Sequence, residues 1–264
     1  MVRVSRRVFL LSTAAMSAGC ASRRLGVNGQ AVAAPGASTP GAGGAPVRQP
    51  AVGQSWHYAK HDLVTHRHID DEIDRINAIG ATVDIESVSE EAQRAPNDSW
   101  GASWLSKYIP HREASGGPLP SEVQEPWGSV LVDPHWSQVQ VYETPIPLWP
   151  KQLRVGWQEH VNTRYKTPTN ETGLPWDQTI KAHAWEVITV PAGQFKTLRF
   201  TNMINFRSTD FSRTDSQRQE TVWFAPEVGR WVARESAGTY YMDDSAVDTP
   251  YYESSYRWEL LKWS

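Results

Sequence analysis

Four of the eight histidines, His57, His61, His66 and His68, fall within twelve residues, and Asp70, Asp71 and Glu72 follow directly. Three imidazoles converging on one point, with carboxylates nearby, would ligate Zn²⁺, Cu²⁺ or Ni²⁺. On an extended strand His66 and His68 share a face. A hairpin turning near residues 62–65 would set His57 or His61 opposite them. The same four residues also suit solvated positions on the outer face of a first hairpin, where they would bind nothing.

The other chemically distinctive group is Cys20, the one cysteine of the chain. It ends the stretch SRRVFLLSTAAMSAGC, in which Arg6 and Arg7 stand in tandem before Phe9, Leu10 and Leu11 and a run of small residues. A basic segment, an apolar segment and small residues before a cleavage point make an export signal over 1–19, and the paired arginines resemble the twin-arginine class. SAGC is similar to the bacterial lipobox, although Ser17 stands where Leu is usual. The resemblance implies cleavage before Cys20, acylation and an anchor to which each buried CH₂ contributes about 0.8 kcal/mol. Ala21 and Ser22 after the cysteine, with no Asp, imply the periplasmic face of the outer membrane. The alternative is a cut near Ala31–Ala33, which would leave a protein of the soluble periplasm. The apolar run is shorter than the about 20 residues of a spanning helix, and no later segment approaches that length.

Gly-x-Ser-x-Gly, His-Glu-x-x-His, a phosphate loop and a dinucleotide fingerprint are all absent from the sequence. A non-catalytic protein without a cofactor is therefore expected, with a hydrolase of unrecognised type as an alternative. Loss of 1–19 removes three arginines and no acid, moving the formal charge from -3 to about -6. That balance argues against nucleic acid, which demands clustered Lys and Arg. Thirteen tryptophans are many for this length. Trp157 and Trp258 fall on alternating apolar positions and read as core. Trp100, Trp104, Trp127, Trp136, Trp149 and Trp176 sit in loop-like, often Pro-flanked contexts, and are candidates for the rim of a cleft taking a lipid chain or a cell-wall sugar.

Residues 20–52 after the signal are rich in Ala, Gly, Pro and Ser, too poor in apolar surface to order, and read as a disordered tether. From 53 to 264 a single β-rich domain is expected. In 153–165, Leu153, Val155, Trp157, Val161 and Tyr165 alternate with polar residues, the mark of a half-buried antiparallel strand. Leu198, Phe200, Ile204 and Phe206 repeat this, as do Tyr256, Trp258 and Leu260. INAIGATVDIE (76–86) reads as a hairpin turning near Gly80. In 66–79 the isoleucines also fit helical spacing, but Gly80, Val83 and Ile85 favour a strand. Residues 89–125 form a polar insertion, read as a loop or one short helix. Pro191 and Gly193 in VPAGQF, and Pro226 and Gly229 in APEVGR, mark two hairpin turns. The fold expected is mainly β, a curved antiparallel sheet or an open or half β-barrel.

The motifs WEVITVPAGQFKTLRF, ETVWFAPEVGRWVARES and YRWELLKW resemble a family of bacterial envelope lipoproteins that pairs a PAGxF turn with a WYAPxVG turn. VGQSWHYAKHDL (52–63) is similar to its opening strand, and Phe224 stands where the family has Tyr. The likeness covers about 126–264 well and 52–88 loosely. It implies a curved antiparallel sheet akin to the half-barrel lipoprotein carriers. The family has no agreed activity, so it implies no catalytic residue.

Overall fold

The computed structural model describes residues 46–89, 122–136, 138–243 and 249–264. Among them are thirteen strands and no helix, hence none long and apolar enough to cross a membrane. They are β1 (Ser55–Asp62), β2 (His68–Ile79), β3 (Val83–Ser89), β4 (Glu122–Gln124), β5 (Ser129–Asp133), β6 (Gln140–Pro147), β7 (Gln158–Thr167), β8 (Asn170–Val190), β9 (Gly193–Phe206), β10 (Arg213–Ala225), β11 (Arg230–Met242), β12 (Tyr251–Tyr252) and β13 (Tyr256–Trp263).

Each strand from β1 to β11 pairs with the next one, all antiparallel. β13 then pairs with both β11 and β1, which joins the two ends of the meander into a ring of twelve strands, with β12 added beside β11. The mainly β, curved antiparallel sheet expected from alternation is the observed fold, and it goes further than an open or half barrel by closing. Closure removes the unpaired edges that an open sheet leaves.

Alternation builds the strands. In β9, Phe195, Leu198, Phe200, Ile204 and Phe206 are buried, while Lys196 and Asn205 face solvent. The 66–79 stretch is extended because β1 on one side and β3 on the other satisfy its backbone, despite its helical spacing of isoleucines. Gly80–Thr82 makes the turn into β3. Pro191 and Ala192 turn β8 into β9, and Pro226–Gly229 turns β10 into β11. Gly229 has φ 74, and a Cβ there would lie 2.9 Å from the Arg48 carbonyl oxygen. Alternation misleads at 153–157: the strand begins only at Gln158, Gly156 takes φ 79 in a turn, and Val155 is exposed.

Residues 46–52, which composition assigns to the tether, lie on the barrel. Arg48 N–H donates to Pro226 O (2.8 Å), and its guanidinium sits 4.9 Å over the Trp263 ring. The export signal, Cys20 and the tether to residue 45 lie outside the described residues, as does 90–121 with Trp100 and Trp104. The end of the expected insertion, Glu122–Gln124, is a strand.

A twelve-stranded barrel is wider than the eight-stranded kind whose side chains just fill the lumen. This one fills its lumen with large rings. One cluster joins Trp56, Tyr58, Phe195, Trp223, Trp231 and Leu260. Tyr58 stacks on Trp231 at 3.8 Å, and its hydroxyl donates to Trp231 O at 3.0 Å. The tip of the β8–β9 hairpin closes over this cluster, with Ala192 N–H donating to Leu260 O. A second cluster holds Tyr142, Tyr165, Trp176 and Phe206, and a third holds Trp149, Leu153, Leu198, Phe200 and Phe224.

Candidate functional site

The alternation that buries Ile76 also buries Asp74, two residues earlier on β2 and 0% exposed. Glu72 follows on the same face, opposite Tyr58 as Asp74 is opposite Trp56. Asp74 Oδ2 takes a hydrogen bond from an Arg230 Nη2 donor at 2.8 Å, and the same nitrogen lies 3.4 Å from Glu122 Oε2. Gln124 donates its amide to Glu122. Ser87 faces Asp74 across the β2–β3 ladder and donates to its Oδ1 at 2.5 Å.

The turn after β5 supplies the remaining member. Asp133 Oδ1 accepts from the His135 backbone N–H (2.9 Å) and lies 2.8 Å from His135 Nδ1. Asp133 Oδ2 accepts from Trp136 Nε1 (2.9 Å). His135 Nε2 lies 3.1 Å from Ser87 Oγ and 3.7 Å from Glu72 Oε1. Ser87 gives its single proton to Asp74, so the imidazole must donate to Ser87 while its other nitrogen donates to Asp133. Both ring nitrogens then carry hydrogen, which makes His135 a cation.

The electrostatics agree with that bookkeeping of hydrogens. Burial alone would lower the His135 pKa, but the hydrogen bond and charge of Asp133, with Glu72 and Glu122 beyond, raise it to about 10. Burial would raise Asp133, and His135 outweighs it, holding the carboxyl at about 2. Burial, then the neighbouring Asp74 carboxylate, push Glu72 upward. Ser87, His135 and Asp133 thus line up in the order of a nucleophile, base and orienting acid. An imidazolium cannot accept the serine proton, however, so the array as folded is an ion network.

A second line of hydrogen bonds runs along the wall across the neighbouring strands β8 to β11. It runs from Trp176 Nε1 to Gln178 (3.1 Å), from Gln178 to Asn202 (3.0 Å) and from Asn202 to Glu220 (3.4 Å). Glu220 ends it in an ion pair with Arg234 at 2.5 Å. Between the two systems lies a cavity of about 60 Å³, bordered by Glu122, Asp133, His135 and Arg234 and by the rings of Trp136, Trp149 and Trp176. Each water needs ~10–15 Å³ by this measure, whereas benzene occupies a cavity of ~150 Å³. The space therefore suits a few waters or an ion with its hydration.

Three of the six cleft candidates, Trp136, Trp149 and Trp176, border this cavity, while Trp127 lies in the β4–β5 turn, 39% exposed. The histidine-rich hairpin does not bring three imidazoles together. His61 faces His68 with ring centroids 5.5 Å apart, and His68 binds Asp71 at 2.8 Å. His57 pairs opposite Ile73, four residues and about 13 Å along the strand from His61. His66 occupies the turn with φ 58. Among the described residues, the trio whose ligand atoms all lie within 4.8 Å of one another is Glu72, Asp74 and His135. Of these, only Glu72 borders the sequence motif. Asp70, Glu72 and Asp74 alternating toward a buried Ile76 was the available signal. His135, from a distant turn, gave none.

No family model matches the chain, and no curated protein resembles it in sequence. Two solved structures are similar in fold. One is a candidate lipoprotein from Parabacteroides distasonis, 12% identical, TM-score 0.43, with 81% of this chain and 96% of that one covered. The other is a candidate exported protein with a YmcC-like fold from Bacteroides fragilis, 11% identical, TM-score 0.45, with 83% and 99% covered.

Proposed function

We propose that this chain is an exported, lipid-anchored protein of the cell envelope, non-catalytic, whose filled barrel serves as a scaffold at the periplasmic face of the outer membrane. The leader with Arg6 and Arg7, followed by Cys20, supports export and anchoring. The observation that supports the scaffold reading is the packing of large rings and ion pairs inside the barrel: among the described residues the cavity beside the ion network holds about 60 Å³, far too little for an acyl chain. Lipid carriage inside the barrel would need that lumen to empty, against three apolar clusters and a buried ion network.

Intact mass spectrometry of the protein from its own envelope fraction tests both halves. The expected mass corresponds to a chain starting at Cys20 with acyl groups and, under native conditions, no co-purified lipid. An unacylated chain starting beyond residue 30 overturns the anchor, and a retained lipid overturns the scaffold.

A further inference from the structure

We propose that Glu72, Asp74 and His135 form a binding site for one divalent first-row cation, Zn²⁺ or Mn²⁺. This inference is independent of the scaffold reading. The three residues come from two separate parts of the ring and yet place one ligand atom each within 4.8 Å of the others. Ser87 Oγ lies beside them, 2.5 Å from Asp74 Oδ1 and 3.1 Å from His135 Nε2. Two of the three ligands are also held from behind. Asp133 grips His135 through Nδ1 and leaves Nε2 turned toward Glu72, as the outer carboxylate does for metal-bound histidines. Arg230 engages Oδ2 of Asp74 and leaves Oδ1 on the ligand side.

A second observation, separate from the ligand geometry, is the charge balance. Among the described residues, Glu72, Asp74, Glu122 and Asp133 meet Arg230 and His135 in direct ion contact. Arg234, the next cation, is engaged by Glu220. A metal at Nε2 takes His135 as the neutral imidazole, its Nε2 proton leaving to solvent on binding; among the described residues the four carboxyl groups then keep Arg230 as their directly paired cation, in a region where Asp74 is 0% exposed and the Arg230 side chain 4%. Uncompensated charge in such a place is strongly unfavourable, and one divalent cation is the compensation that fits. The adjoining cavity, bordered by Glu122, Asp133 and His135, gives room for the waters that complete its coordination. One imidazole with carboxylates suits Zn²⁺ or Mn²⁺ better than the all-oxygen shell of Ca²⁺ or the soft ligands of Cu(I).

The full-length protein, stripped with a chelator and dialysed, is titrated calorimetrically with ZnCl₂ and with MnCl₂. One ion per chain is expected with at least one metal. Glu72→Gln should weaken that binding by tenfold or more, and Asp133→Asn by roughly 10–100-fold. The double variant His61→Ala/His68→Ala should leave it unchanged. The proposal is overturned by an absence of one-to-one saturation, by Glu72→Gln binding as wild type does, or by loss of the site in the His61/His68 variant. Circular dichroism checks each variant's fold. If Glu72→Gln does not fold, histidine ¹⁵N resonances of the wild type decide: His135 Nε2 must shift with the metal, and shifts confined to His61 and His68 sink the idea. Acylation at Cys20 and lipid content are read separately by mass, so failure here leaves that reading intact.

Discussion

Arg230 and Trp231 are neighbours on β11, and each belongs to a different interior. Trp231 joins Tyr58, Trp56 and Leu260 in a ring-filled cluster. Arg230 turns to Asp74 and Glu122 in the ion network. The first region is held by area, which is non-directional, so loss of one side chain removes its share and a cavity's worth more. The second is held by mutual satisfaction, so loss of one member leaves its partners buried and unpaired. The guanidinium also lies 5.0 Å from the Trp56 ring centroid, which welds the two regions at one residue.

That contrast ranks the expected effects. Arg230→Met should cost about 3–5 kcal/mol in urea unfolding, because Asp74 and Glu122 are left buried without their partner. Adding Asp74→Asn and Glu122→Gln to it should restore part of that loss. If the triple variant is no more stable than Arg230→Met alone, the ion network is not the self-satisfying unit described. Leu260→Ala, in the ring-filled region and 0% exposed, should cost about 2–5 kcal/mol, with no rescue by any polar partner.

The third prediction concerns pH. His135 is raised from 6.5 to about 10, so its contribution is complete below 6.5 and fades as pH rises through 10. Asp133 is lowered from 3.8 to about 2, so its share is complete above 3.8 and fades as pH falls through 2. Both describe one interaction, fully present between those limits. Unfolding midpoints of the metal-free wild type should therefore decline from pH 6.5 toward 10, and Asp133→Asn should flatten that decline. An equal slope in both proteins would assign the pH dependence to other groups. The smallest effect is expected at the turn end of the β1–β2 hairpin: His61→Ala and His68→Ala should each change stability by no more than about 0.5 kcal/mol, since His68 and Asp71 are exposed.

The strands of the second half were readable because alternation there is clean. Leu198, Phe200, Ile204 and Phe206 are all buried in β9, and Pro191 and Gly229 stand in turns between long partners. The failure at Val155 came from Gly156, whose left-handed backbone breaks the period without breaking the residue pattern. The site was less legible for a different reason. A histidine cluster dense in sequence spreads along one hairpin, while the trio that converges needs the β2–β3 register and the turn after β5 to bring Glu72, Asp74 and His135 together. Register between distant strands is set by tertiary pairing, and no local spacing encodes it. Closure was hidden likewise, because it depends on β13 finding β1.

That last pairing has a consequence for how the molecule is made. Ser55 and Ser264 are hydrogen-bonded across 209 residues of chain, and β13 lies C-terminal to every strand it unites. During synthesis the earlier strands must wait with β1 and β11 as open edges until β13 leaves the ribosome. Such non-local closure is slow, and open edges invite pairing with other chains. The closing strand is thus the point at which a newly made chain passes from an aggregation-prone sheet to a sealed cylinder.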